Sequence, residues 1–273
     1  MSRLLRRLGQ VGAAAAGTGA VSAYAAHRVL RAQARAARGA IGKPLGEEAH
    51  RADGVYKKKH GRPVHLLLLG DSIAAGLGAV SPADTLGAEL AARLAKKAHR
   101  TVVLHTAAQV GAESSMLRSQ LAGLPVGYRP DVAVVIVGGN DVTHRVRVSI
   151  SRRHLVEAID ALHDLGARVV VGTCPDLGAL PALPQPLRTL ASRGSRQLAA
   201  MQLEAATERG AFAVTLAQVV GPFFLAQPDA MFAIDRFHPS GAGYRRTAKA
   251  LLPSILTALG HEALLPFGHH APR

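Results

Sequence analysis

The chain has 273 residues, 48% of them apolar, and no Trp. That length fits one domain with an appendage, and that composition excludes a disordered or collagen-like chain. The formal charge of +15 comes without any helix-turn-helix, zinc-finger or aromatic-plus-basic signature, so no nucleic-acid partner is expected.

Residues 1–45 hold Arg3, Arg6, Arg7, Arg28, Arg31, Arg35, Arg38 and Lys43 and no acid. Between the basic groups, residues 8–26 carry no charged side chain, and Ser22-Ala23-Tyr24-Ala25 offers a small-x-small cleavage pattern. This layout predicts a signal peptide or membrane anchor. The protein is therefore expected to be membrane-associated or exported, with residues 1–45 touching an anionic membrane. The heavier basic flank lies C-terminal to the apolar run, which would hold the domain on the cytoplasmic side instead. Residues 46–63, with several Gly and Lys57-Lys58-Lys59, read as a linker.

From residue 64 onward strands alternate with helices. The apolar run 64–69 predicts a first buried strand. Residues 82–97 have helical spacing, with Ser81 as N-cap and Pro82 at the first helical position. Strands are expected at 101–106, 131–137, 168–173 and 212–216. Helices are expected at 113–121, 151–165, 187–208 and 242–259. Residues 175–186 form a Pro-rich loop. This alternation implies a parallel sheet covered on both faces, in one domain over 64–262 with a tail at 263–273. Ligands of such sheets bind beyond the carboxyl ends of the strands.

Reactive residues fall at that edge. Gly70-Asp71-Ser72-Ile73 follows the first strand, Gly111 the second, and Gly138-Gly139-Asn140-Asp141 the third; Asp235-Arg236-Phe237-His238 precedes the last helix. Ser72 alone fits a helix N-cap, but a serine beside a base is a nucleophile. Asp235 and His238, three apart on one turn, can act as orienting carboxylate and general base. The Asn140 amide and the N–H groups of Gly111 and Ser72 can serve a developing oxyanion.

These four blocks resemble those of the SGNH/GDSL hydrolases, over about residues 64–259. The resemblance implies a flavodoxin-like three-layer α/β/α sandwich with a five-stranded parallel sheet. It also implies catalytic residues Ser72, Asp235 and His238 and an oxyanion hole of Ser72, Gly111 and Asn140. Two positions depart from the usual pattern: Ile73 stands where Leu is common, and residues 106–110 lack an Asn. The activity implied is serine-esterase hydrolysis of lipid, short-chain acyl or acylated-glycan esters through an acyl-enzyme, with no cofactor or metal, in a monomer. Turnover should fall on acidification as His238 takes a proton. A non-catalytic ligand-binding protein on the same fold is the alternative. An α/β-hydrolase would need Gly-x-Ser-x-Gly, and Ala74 breaks that pattern.

The remaining candidates are bland. Cys174, the single cysteine, reads as a small core residue. His144 reads as a surface-loop residue, and His269 and His270 as part of a frayed tail. Leu177, Leu180, Leu183 and Leu187 are expected to form an apolar acyl wall.

Overall fold

The computed structural model describes residues 24–42, 44–261 and 264–273. Residues 24–41 are helical (α1). Strands β1 (Gly54–Tyr56) and β2 (Gly61–Gly70) follow, then the four-residue helix α2 (Ser72–Ala75), α3 (Leu86–Ala98) and β3 (Arg100–Thr106). Next come α4 (Leu117–Ala122), β4 (Val132–Ile136), α5 (Gly139–Thr143), α6 (Val148–Asp164) and β5 (Arg168–Gly172). The long α7 (Leu187–Glu208) leads to β6 (Phe212–Val214) and three short helices, α8 (Leu216–Val219), α9 (Gly221–Ala226) and α10 (Pro228–Met231). Helix α11 (Gly241–Ala258) and β7 (His269–His270) close the order.

The sheet follows from the apolar runs. In β2, Leu66 and Leu68 pack with Leu86 and Leu90 of α3 and with Leu251 and Ile255 of α11. Leu67 and Leu69, one residue out of phase, pack with Leu155 and Ile159 of α6 and Leu198 of α7. A strand buried on both faces needs this unbroken hydrophobicity, and every residue of β4 is buried for the same reason. The result is an α/β/α sandwich. Its strand order is β1-β3-β2-β4-β5-β6-β7. The five inner strands are parallel. The chain order reverses at β2, so a crevice opens at the carboxyl end of that strand, beside Ser72.

The sheet corrects the expected five-stranded, all-parallel one. β1 pairs antiparallel with β3, and β7 antiparallel with β6, giving seven strands in a mixed sheet. Neither edge strand has a readable signature. β1 is three residues long with Val55 exposed, and β7 is two histidines. Hence the segment read as a linker carries β1 and the beginning of β2. The segment read as a frayed tail pairs with β6, with the Thr215 N–H donating to the Gly268 carbonyl (2.9 Å). Helix α3 also starts later than expected. Thr85, not Ser81, caps it by accepting from the Ala88 N–H (3.2 Å), and residues 82–84 form a 3₁₀ turn.

The expectation of membrane association or export through residues 1–45 is corrected too. Among the described residues no helix is long and apolar enough to cross a membrane. Most of the apolar run, residues 8–23, lies outside the described residues. The described part, α1, bears Arg28, Arg31, Arg35 and Arg38. Its inner face rests on the body of the protein: Ala37 is buried, and Gln33 hydrogen-bonds to the backbone of Gln185 and Leu187.

Candidate active site

The turn after β2 is fixed before Ser72 is reached. Gly70 has φ +131°, and a methyl group there would collide with the Ile136 carbonyl. Only glycine meets both demands. That close approach lets the Asp71 N–H donate to the same carbonyl (3.0 Å). Gln120 of α4, itself buried, takes both backbone groups of Gly70. Its Oε1 accepts the Gly70 N–H (2.9 Å) and its Nε2 donates to the Gly70 carbonyl (2.7 Å). Asp71, not Ser72, caps α2, accepting the Ile73 N–H on Oδ1 (3.0 Å). The Ser72 hydroxyl is thereby left out of capping. It lies 3.0 Å from Nε2 of His238.

His238 sits on a compact turn between α10 and α11. Its Nδ1 is 2.6 Å from Asp235 Oδ2. The other carboxylate oxygen accepts the N–H groups of Phe237 and His238, both at 3.0 Å. Burial pushes the Asp235 carboxyl up, but the hydrogen bonds from His238 and from these two N–H groups outweigh it and hold it below its ordinary value. Arg236 adopts φ +54° to close the turn. Phe232 and Pro239 form a β-bridge across the base of the turn. The turn packs against the end of the Ser72 segment at Gly78, where a side chain would strike the Pro239 carbonyl.

The third block stands beside them. Gly138 (φ +134°) turns the chain out of β4 into α5. Gln202 of α7 steadies this edge, donating to the Val137 carbonyl (2.8 Å) and accepting from the Cys174 N–H (2.6 Å). The Asn140 amide donates to the Ala112 carbonyl (2.9 Å). A carboxamide has two N–H donors, so the other is available to a ligand. Asp141 pins the turn from below, accepting from the Ser114 N–H (3.0 Å) and from the hydroxyls of Ser114 (2.5 Å) and Ser151 (2.7 Å). Gly111 has φ +80° with no atom within 4 Å of where a Cβ would stand. It adjoins the site through Ala112, whose carbonyl accepts from the Asn140 amide.

Ser72, Asn140 and His238 open onto one cleft. Leu177, Ala179 and Leu180 wall one side, and Leu216, Val220 and Phe224 another. Phe232 and Phe237 flank the histidine side. Of the four leucines expected to form an acyl wall, Leu177 and Leu180 do so. Leu183 packs onto the core, and Leu187 starts α7 away from the cleft. The aromatic residues of 224–237 escaped sequence reading because the two short helices there, α9 and α10, show no sustained period. Asp71, Gln120 and Gln202 were also missed. The available signal was a Gln at a buried position of an apolar helix face, which marks a polar group with a buried partner.

Asp71 lies at the floor of the cleft. Burial raises its carboxyl to about 6, against the opposing pull of the Ile73 N–H, His238 and the Gly139 N–H. Cys174 is buried in the core, and burial pushes its thiol well up. His144 pairs with Glu113 (2.7 Å) on the surface. Among the described residues no group of His, Cys, Asp and Glu is arranged to hold a metal ion.

Comparison with known proteins agrees with this geometry. The family model described as GDSL-like Lipase/Acylhydrolase matches residues 68–246. The GDSL-like esterase Rv1075c of Mycobacterium tuberculosis is 38% identical over 258 residues, covering 90% of this chain and 82% of that protein. The crystal structure of a lipase/acylhydrolase from Enterococcus faecalis superposes with TM-score 0.58 at 22% identity, over 70% of this chain and 95% of that one. A psychrotrophic esterase, EstA, from Pseudoalteromonas sp. gives TM-score 0.55 at 19% identity, over 72% and 99%. At such identities the two structures speak for the fold.

Proposed function

This chain belongs to the GDSL-like lipase/acylhydrolase family and is a serine hydrolase of ester bonds, and we propose that Ser72 is its nucleophile, His238 its general base and Asp235 the partner of that base. The observation that carries the reading is the unbroken relay from Asp235 Oδ2 through His238 to Ser72 Oγ, at 2.6 and 3.0 Å, opening on an apolar cleft.

The ester carbonyl enters with its acyl chain against Leu177, Leu180 and Phe224. Ser72 Oγ attacks the carbonyl carbon while Nε2 of His238 takes the hydroxyl proton. The imidazolium so formed is stabilised by the Asp235 carboxylate on Nδ1, and that carboxylate remains ionised. Negative charge gathers on the former carbonyl oxygen. The N–H groups of Ser72 and Gly111 and the free N–H of the Asn140 amide are the donors we assign to it. The tetrahedral intermediate collapses as His238 gives its proton to the leaving alcohol. Water then attacks the acyl-Ser72 carbonyl, His238 takes its proton, and the acid and the free hydroxyl are released. The apolar lining supports carboxylic esters with an aliphatic acyl group as the substrate class.

The test is hydrolysis of p-nitrophenyl esters of increasing chain length by the full chain and by Ser72→Ala. Turnover by the parent, with a loss of about a million-fold in the variant, is expected. Equal, measurable turnover in the two proteins would overturn the assignment of Ser72 as nucleophile.

A further inference from the structure

The loop that walls the cleft is gripped at both ends. At its beginning, Asp176 Oδ1 accepts the Gly178 N–H (2.7 Å), while Oδ2 accepts from the Ser192 hydroxyl (3.1 Å) and from Arg196 Nε (2.9 Å). Ser195 accepts the Leu177 N–H (3.1 Å). Ser192, Ser195 and Arg196 all lie on α7. Farther along, Arg188 donates to the carbonyls of Leu183 (2.8 Å) and Pro181 (3.1 Å).

The last grip comes from the other end of the chain. Gln33 of α1 donates through Nε2 to the Gln185 carbonyl (2.6 Å) and accepts the Leu187 N–H on Oε1 (3.3 Å). One carboxamide thus satisfies a backbone donor and a backbone acceptor, as Gln120 does at Gly70 and Gln202 does at Val137 and Cys174. Those two glutamines fix the edges that carry Ser72 and Asn140. Gln33 fixes the segment that follows the Leu177–Leu180 wall and joins it to α7. The pattern of α1 suits that contact: Leu30, Gln33, Ala34, Ala37 and Ile41 recur at helical spacing and are its less exposed residues. The arginines at 28, 31, 35 and 38 fall on the outer faces.

We infer that Gln33 is a positioning residue for acyl-chain selectivity, with α1 acting as a strap that holds the Leu177–Leu180 wall against the substrate's chain. The inference rests on the esterase reading above. A short acyl group touches Ser72, Asn140 and His238 and does not reach the wall. A long one depends on it, because an ordered apolar surface gains contact with each added methylene.

The experiment compares full-length Gln33→Ala, Gln33→Glu and the parent on p-nitrophenyl acetate and p-nitrophenyl octanoate. In Gln33→Ala, kcat/KM for the octanoate falls about tenfold, the value of roughly two methylene groups losing apolar contact, and the change is carried by KM. The acetate constants stay within twofold of the parent. Gln33→Glu keeps the acceptor for the Leu187 N–H but places a carboxylate on the Gln185 carbonyl, so it falls no less than Gln33→Ala. A profile unchanged across chain lengths, or one lowered equally for both esters, overturns the inference. Amide hydrogen exchange is read on the same variants. Faster exchange over residues 177–187 is expected, and protection equal to the parent also overturns it. Should the parent hydrolyse neither ester, the esterase reading has failed; the exchange measurement still decides whether Gln33 holds the loop.

Discussion

The turn bearing His238 is shaped by hydrogen bonds made within residues 230–240. The Ala233 N–H donates to the His238 carbonyl, the Arg236 N–H to the Ala233 carbonyl, and two N–H groups converge on Asp235. The turn bearing Ser72 is held from far away. Its partners are Ile136, Gln120 and Tyr244, whose hydroxyl donates to the Leu77 carbonyl (2.5 Å). A self-contained turn can lose its chemistry and keep its shape. A turn clamped by remote side chains loses both together when a clamp is removed.

The largest expected effect tests the first half of that contrast. Asp235→Asn leaves an oxygen to accept the N–H groups of Phe237 and His238, so the turn persists. Its amide N–H₂ faces His238 Nδ1, however, and holds the imidazole in the tautomer that cannot take the Ser72 proton. A fall in kcat of about ten-thousand-fold is expected, with the urea midpoint close to that of the parent. A large loss of stability in this variant would break the comparison, because it would show the turn to be as dependent on its surroundings as the Ser72 turn is.

Gln120→Leu tests the second half with a smaller effect. The Gly70 N–H is left without the partner it has in the parent, in a fully buried position. The Gly70 carbonyl retains the Gln109 N–H (3.1 Å). A destabilisation of about 2–4 kcal/mol is expected, the penalty for stranding a buried polar group together with the mismatch of packing. Esterase activity should fall in the same preparation, since Ser72 follows Gly70 by two residues. Full activity at reduced stability would show that the clamp serves the fold and not the nucleophile.

The same contrast sets what is legible in the sequence. Gly70-Asp71-Ser72 and Asp235-Arg236-Phe237-His238 are short and contiguous, and the order of strands and helices places them at one edge of a parallel sheet. The inner strands announce themselves by their apolar, β-branched runs, most completely β2, β4 and β5, where burial on both faces demands near-continuous Leu and Val. The edge strands do not: Gly54–Tyr56 and His269–His270 bury too little to impose a pattern. One wall of the cleft, Leu177 and Leu180, is readable from the leucines of the loop after β5; the aromatic lining is not, because Phe224 and Phe237 come from separate segments with no common period. The clamps are hidden for a further reason. Nothing near Gln33 in the chain indicates that its partners are at 185 and 187, and the Arg- and Ala-rich surroundings suggested a membrane helix instead.

Asp71 sits where the two kinds of support meet, and the smallest of the expected effects concerns its charge. Its carboxyl lies at about 6 in the folded protein against 3.8 for the unperturbed group. Between those values the folded chain holds a proton that the unfolded chain has released. Stability from this group is therefore complete below about pH 4 and is lost as pH rises through about 6, by at most about 3 kcal/mol. His269, lowered chiefly by burial, works in the opposite direction over part of that window, so the parent's own curve mixes the two. Subtracting the curve of Asp71→Asn removes His269 and every other shared group. Urea unfolding of both proteins at about pH 4.5 and about pH 7.5 should show the parent losing ground to the variant at the higher pH. The carboxamide of that variant can still accept the Ile73 N–H through its oxygen, but its N–H₂ cannot serve the Gly139 N–H as the carboxylate does. Because Gly139 leads directly to Asn140, kcat should drop about tenfold even as the fold gains stability relative to the parent, a loss of the size expected when a catalytic donor is slightly misplaced. Parallel stability curves for the two proteins would mean that Asp71 is solvated well enough to ionise normally. The carboxylate would then be an ordinary helix cap, and the Ser72 turn would owe its support to Gln120, Ile136 and Tyr244 alone.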